Sequence, residues 1–354
     1  MPDLELIALI ENTADPLGNG ALEPLLRFTA GNDGCLRFPE ERDSDGSLRT
    51  VDPCGVRHFC PDGTRDGEES TASVLPDDDI LLIDLQVEIV RYDMSEPPQI
   101  WYEANVIFRP EQEIFQQYTY VNAKFKNQEI WPATLAQTSR LVFAMNADYH
   151  LNRVNQKWPT GNIIRRGEVL YSADAKKGMK FPNLDTLAIR NDGSFSVYDA
   201  HEVTAEELLA QAEPGDPSFV HDALSFGPYL IRDGQIRLYD GNSADVPEPR
   251  SAYGMIRPGH LFFVMVEGKI PKKNGLRGEQ GLNLWQLAQL MYARGCTEAL
   301  NVDGGSTAVM LFMGERLNRT GKATALGSPR NQHELFGIGI SELVHTDKMD
   351  GEKK

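Results

Sequence analysis

The chain predicts an α+β fold whose β-rich core is a mostly antiparallel, twisted sheet with a few packed helices. Three observations predict it. Residues 80–90 end in a two-residue apolar alternation, and residues 100–108 resume as a second strand after a Pro-rich turn. Short apolar runs then recur at 140–145, 168–171, 186–189, 195–197, 229–231 and 261–266, mostly separated by turns bearing Gly, Asn or Asp. Helical periodicity is confined to a polar stretch at 204–212 and a well-marked one at 284–293.

Each element has its reason. Residues 1–79 are expected to form an irregular acidic N-terminal segment, because positions 32–79 are dense in Asp, Glu, Gly, Pro, Ser and Arg and show no period. Within it, residues 62–67 copy the first half of a calcium loop, but Ser73 stands where the bidentate Glu belongs, so a turn is the simpler reading. Cys35, Cys54 and Cys60 suit one disulfide in this segment, with free thiols as the alternative; a zinc site using His58 matches no closed zinc spacing. The domain proper is expected over 80–344, followed by a polar tail at 345–354. Its best helix places Leu284, Leu287, Ala288 and Met291 on one face, with Asn283 and Gln286 as a capping box and Gly295 as the stop. Residues 299–302 and 308–313 read as strands either side of a turn.

Bulk properties narrow the partners. A chain of 354 residues can bury a core without metals or disulfides. Its 35 basic and 52 acidic side chains leave a formal charge of −17, which repels nucleic acid and anionic lipid. A single phosphoryl group is not excluded, since an Arg fork acts at short range where the net field is screened. No apolar run reaches the roughly 20 residues a membrane span needs. The opening residues are too short an apolar run and too acidic for a signal peptide; the spacing of Cys54 and Cys60 leans toward an oxidising compartment, and a secreted or extracytoplasmic location is expected, with the export signal absent from this chain.

The chemistry is expected at Asp303-Gly304-Gly305-Ser306-Thr307. Two glycines let a backbone approach a ligand closely and turn its N–H groups toward an anion, while Ser306 and Thr307 add hydroxyls beside the Asp303 carboxylate. An ordinary hairpin uses the same residues. His150, His221 and His260 read as structural or exposed, and Trp285, Phe262 and Phe263 as core.

Several segments together resemble the phosphodiester glycosidase family. Residues 281–290 with 299–307 are similar to its signature stretch, Ala144-Met145-Asn146-Ala147-Asp148-Tyr149 to its Asn-Gly-Gly segment, 225–234 to its following hairpin, and 249–254 to its Arg-Thr-Ala-Ile-Gly segment. Pro329-Arg330 falls on a further Pro-Arg, and Glu267-Gly268 on a usual Asp-Gly. The chain departs from the pattern at Ala147, Asp148, His150, Ser306 and Thr307. The resemblance covers about residues 102–340 and implies hydrolysis of a sugar-1-phosphodiester at the anomeric C–O bond, releasing a reducing sugar and a phosphomonoester.

On that reading Arg250 and Arg330 hold phosphate oxygens, helped by Gly304, Gly305, Ser306 and Thr307. Asp303 and Glu267 are the candidates for nucleophile or base, and Asn146 joins the catalytic set. Asp148 is expected at the substrate, as a second acid, a calcium ligand or a turn residue. No cofactor is required, and calcium is left open. The substrate class is a glycan, nucleotide sugar or wall polymer carrying a sugar phosphodiester. Two rivals remain: a non-catalytic sugar-phosphate or wall-polymer binding protein, and a P–O hydrolase using a metal on Asp148 and Asp303.

Overall fold

The computed structural model describes residues 86–95, 97–107, 118–121, 130–148, 161–172, 184–200, 202–237, 245–270, 272, 278–319, 329–340 and 344. It also places four short strands ahead of these: β1 (Thr29–Ala30), β2 (Leu36–Arg37), β3 (Glu40–Arg42) and β4 (Leu48–Thr50). They pair β1 with β2 and β3 with β4 inside the run expected to be irregular. The expectations for Cys35, Cys54, Cys60, His58, the calcium-like loop, His150 and the tail lie outside the described residues.

The main body begins with β5 (Gln86–Ser95) and β6 (Pro98–Ile107), paired residue for residue from Gln86↔Ile107 to Ser95↔Pro98. There follow β7 (Tyr118–Val121), α1 (Pro132–Thr138), β8 (Leu141–Asn146), β9 (Ile163–Arg165), β10 (Glu168–Tyr171), β11 (Asp185–Arg190) and β12 (Phe195–Tyr198). Next come α2 (Ala205–Leu209), β13 (Val220–Phe226), β14 (Tyr229–Arg232), β15 (Gln235–Ile236), β16 (Arg250–Arg257) and β17 (His260–Val266). The last elements are α3 (Leu284–Ala293), β18 (Glu298–Val302), β19 (Met310–Phe312), β20 (Glu315–Arg316) and β21 (Leu335–Ile340).

These strands form three larger sheets, ordered β15-β14-β18-β16-β17-β6-β5, β20-β19-β8-β21-β7 and β10-β9-β13-β11-β12. Neighbouring strands are antiparallel wherever they are described, so the expected β-rich α+β architecture is the observed one. One core lies between all three sheets: Tyr253, Phe263 and Leu300 from the first, Phe143, Met145 and Phe336 from the second, and Leu187, Phe195 and Leu224 from the third. Each sheet covers its other face with its own helix. α3 sets Leu287, Ala288 and Met291 on Ala252, Phe262 and Val264; α1 covers Ala144 and Leu335; α2 sets Leu208 on Ala188 and Ala223.

Local chemistry accounts for the helix ends. Asn283 accepts the Gln286 N–H at 2.8 Å while Gln286 returns its side-chain oxygen to the Asn283 N–H at 3.0 Å, the reciprocal cap expected from the sequence. Thr204 and Glu207 do the same for α2. Cys296, a free thiol buried beside α3, belongs to the hydrophobic core.

Candidate active site

The site forms where the first and second sheets meet. β18 ends at Val302, beside the start of β16, and the chain then crosses through 303–309 into β19 of the second sheet. This crossing is the Asp-Gly-Gly-Ser-Thr turn. A Cβ on Gly304 would sit 2.4 Å from the Pro249 carbonyl oxygen, so only glycine permits that approach. Gly305 has φ +62°, the left-handed region that an L side chain rarely adopts. Its N–H donates to Pro249 O at 3.0 Å and so serves the turn itself. The N–H groups of Gly304 and Ser306 donate to no backbone carbonyl among the described residues.

Asn146, at the end of β8, is fully buried. Its amide N–H donates to Asp303 O at 2.7 Å, and its Oδ1 accepts from Ser251 Oγ at 2.9 Å and Val309 N at 3.1 Å. Tyr253 donates its hydroxyl to the Asn146 main-chain oxygen at 2.6 Å. Every one of these contacts is internal, so Asn146 holds the backbone of the turn to both sheets. Asp303 itself is 8% exposed.

The two expected phosphate arginines flank the turn. Arg250 opens β16, one residue after the carbonyl that receives Gly305, and its guanidinium donates to Leu282 O at 3.1 Å and Val246 O at 3.0 Å. Arg330 donates its main-chain N–H to Ser306 O at 2.8 Å and its guanidinium to Thr307 Oγ1 at 3.0 Å. Among the described residues neither guanidinium has a carboxylate at ion-pair distance. Glu248, close to Arg250, is taken by Lys269. Burial holds the Arg250 guanidinium below its ordinary pKa, against the pull of Glu248. A half-dehydrated cation with no described carboxylate at ion-pair distance is a setting that an anionic ligand improves. Ser306 is largely buried, and Thr307 is completely so, its hydroxyl accepting from Arg330 and its carbonyl from Gln332 at 2.9 Å.

Two expected site carboxylates have other company. Glu267 follows Val266, the ladder partner of Arg250, so the pleat turns it to the other face of the first sheet. There its oxygens accept the Arg319 main-chain N–H and Nε, each at 2.7 Å, and Arg319 also reaches Glu279 at 3.1 Å. Burial raises the Glu267 pKa, with the Arg319 bonds opposing. Asp148, expected at the substrate, is buried in an ion pair with Arg165 and accepts the Ser225 N–H at 2.9 Å. The same Arg165 nitrogen donates to Glu334 at 2.6 Å. Among the described residues no three His, Cys, Asp or Glu side chains are grouped to hold a metal.

His221 is held by Asp222, and His260 by Asn105 at 2.8 Å. Sequence reasoning missed Ser251, Tyr253, Arg165, Glu334 and Gln332. Their signal is only in the register, which brings Asn146 within reach of residues 105 and 157 positions away. No described helix is long and apolar enough to cross a membrane.

Comparison with known proteins identifies the family of the chain. The phosphodiester glycosidase family model matches residues 139–338, more than half of the chain and the whole stretch from the start of β8 to β21. The chain is 27% identical over 200 residues to N-acetylglucosamine-1-phosphodiester alpha-N-acetylglucosaminidase of Bos taurus, covering 51% of this chain and 34% of that one. It is 25% identical over 188 residues to the SPbeta prophage-derived protein YomE of Bacillus subtilis, covering 52% and 26%. The chain thus spans about a third or less of the length of these curated relatives. Among solved structures, the zebrafish N-acetylglucosamine-1-phosphodiester alpha-N-acetylglucosaminidase catalytic domain, auto-inhibited by its pro-peptide, superposes with a TM-score of 0.53 at 20% identity. That superposition covers 76% of this chain and 85% of the zebrafish one, a likeness of fold. The family match takes in Asn146, Arg250, the Asp303–Thr307 turn and Arg330 together, and on it the chain belongs to the phosphodiester glycosidase family.

Proposed function

We propose that this protein hydrolyses a sugar-1-phosphodiester at the anomeric C–O bond. The observation that carries the reading is the pair Arg250 and Arg330, the first with its backbone beside Gly304 and the second bonded to Ser306 and Thr307, neither with a carboxylate at ion-pair distance among the described residues. A phosphate monoanion seated there receives two guanidinium forks and the N–H groups of Gly304 and Ser306. Cleavage moves the C–O bonding pair onto the phosphate oxygen, which leaves as a phosphomonoester; water supplies hydroxyl to the anomeric carbon and its proton to a base. Because that leaving group is a weak base, clamping its charge replaces much of a general acid's work.

Asp303 is the carboxylate we assign to the reacting sugar, as nucleophile or as base for water. Its backbone is fixed by Asn146, and it belongs to the turn whose Gly304 and Ser306 N–H groups donate to no backbone carbonyl among the described residues. Glu267, tied up by Arg319, is assigned to holding residue 319 instead. Engagement of Asp148 by Arg165 and Ser225 favours this route over a metal-dependent P–O hydrolase using Asp148 and Asp303. The proposed route requires no cofactor. An extracytoplasmic glycan, nucleotide sugar or wall polymer is the substrate class we infer.

Incubation with a panel of nucleotide sugars and glycan phosphodiesters, assaying reducing sugar and phosphomonoester, tests the reading. Both products are expected from the wild type, and neither from folded Asp303→Asn or Arg250→Ala. Tight binding with no turnover across the panel would replace the hydrolase with a binding protein.

A further inference from the structure

Two chain segments grip the turn from the second sheet. One ends β8: Asn146 holds Asp303 O, and two residues later Asp148 leaves the strand. The other runs into β21: Arg330 holds Ser306 O and Thr307 Oγ1, Gln332 holds Thr307 O, and Glu334 follows. The segments lie side by side, Leu335 being the ladder partner of Asn146. Asp148 and Glu334 both meet Arg165, which comes from β9 in the third sheet and donates through one nitrogen to each carboxylate. All three side chains are at most 5% exposed. Arg165 is itself held by the main-chain oxygens of Ile164 and Ala223.

We propose that Arg165 is a positioning residue for this site, setting the spacing between the Asn146–Asp148 and Arg330–Glu334 segments and hence the placement of the turn they grip. The inference rests on the reaction proposed above. Arg165 touches no substrate; it acts through two carboxylates that each sit a short, hydrogen-bonded stretch from the turn. Displacing a reacting group by about 1 Å costs up to roughly a hundredfold in rate, so a loosened clamp is read in kcat.

The test compares wild type with Arg165→Met/Asp148→Asn/Glu334→Gln, which removes the three charges together because a buried charge without its partner is destabilising. Expected are a folded protein by circular dichroism, kcat on a sugar phosphodiester lowered roughly tenfold or more, and affinity for inorganic phosphate lowered in the same direction. Arg165→Lys, which keeps the charge without the fork, should recover little of the rate. Wild-type kcat and phosphate affinity in the folded triple variant overturn the proposal. Should that variant not fold, Asp148→Asn, Glu334→Gln and their double replace it. A shared clamp makes the double no worse than the worse single, whereas additive losses contradict it. A wild type that binds phosphate but releases no sugar overturns the hydrolase reading alone, and the clamp is then judged on phosphate affinity.

Discussion

At the scale of single residues, the site depends on a few side chains and two glycines for distinct physical reasons. Gly304→Ala would drive a Cβ against the Pro249 carbonyl, 2.4 Å away, so the turn must shift. We expect that variant to lose nearly all turnover while keeping its far-UV spectrum, since the clash is with one backbone oxygen at the sheet end. Arg330→Met should raise KM for a phosphodiester by roughly tenfold, the effect of one charge-assisted bond of about 1.5 kcal/mol. The same substitution should leave affinity for the free sugar unchanged, which isothermal titration with sugar and with phosphate separates. The need for small residues at 304 and 305 was legible in the sequence, as was a hydroxyl at 306. What Asn146 does was not: its partners Ser251, Asp303 and Val309 become neighbours only when two sheets meet. The partner of Asp148 was hidden for the same reason, because a carboxylate two residues from Asn146 faces Arg165 of another sheet.

At the scale of elements, α3 matters beyond its packing. Its N-cap, Asn283, adjoins Leu282, whose carbonyl receives Arg250 Nε at 3.1 Å. Asn283→Ala should cost about 1 kcal/mol of stability and, by loosening that carbonyl, raise KM more than it lowers kcat; thermal melting and steady-state kinetics read the two effects. β18 carries a pH signature at its other end. Glu298 is buried, accepts the Val197 and Asp233 N–H groups, and has its pKa raised by that burial above the ordinary glutamate value of 4.5. Between that value and the raised one the folded state binds the extra proton, so this group's contribution to stability falls as pH rises through the window. Glu298→Gln should remove that slope in urea titrations made across it; an unchanged slope assigns the dependence elsewhere. The sequence showed α3 to the residue, because its period, cap and Gly295 stop agree. It did not show β16, whose run from Arg250 to Arg257 is buried on both faces over most of its length and so lacks alternation. Nor did it show β21, where Gly337 and Gly339 interrupt an apolar run, or α1, too short at 7 residues for a period.

At the scale of the whole molecule, one core shared by three sheets makes the site a property of the entire body. Phe143, Tyr253, Phe263 and Phe336 meet at ring-centre distances of 5.0 to 6.0 Å in the middle of it. Phe263→Ala should cost about 3–5 kcal/mol, and turnover and far-UV signal should be lost at one denaturant concentration, because the sheets that frame the turn share that core. The fold class was legible from strand spacing and sparse helices, yet the division into three sheets was not, since neither sheet order nor the helix on each outer face leaves a local trace. The central claim is that a phosphate clamped by Arg250 and Arg330 departs intact from the anomeric carbon. Hydrolysis in ¹⁸O-labelled water tests it most directly, by mass spectrometry of the released phosphomonoester. Cleavage of the C–O bond predicts a phosphomonoester without the label, whereas label in the phosphate would mean attack at phosphorus and would contradict the account.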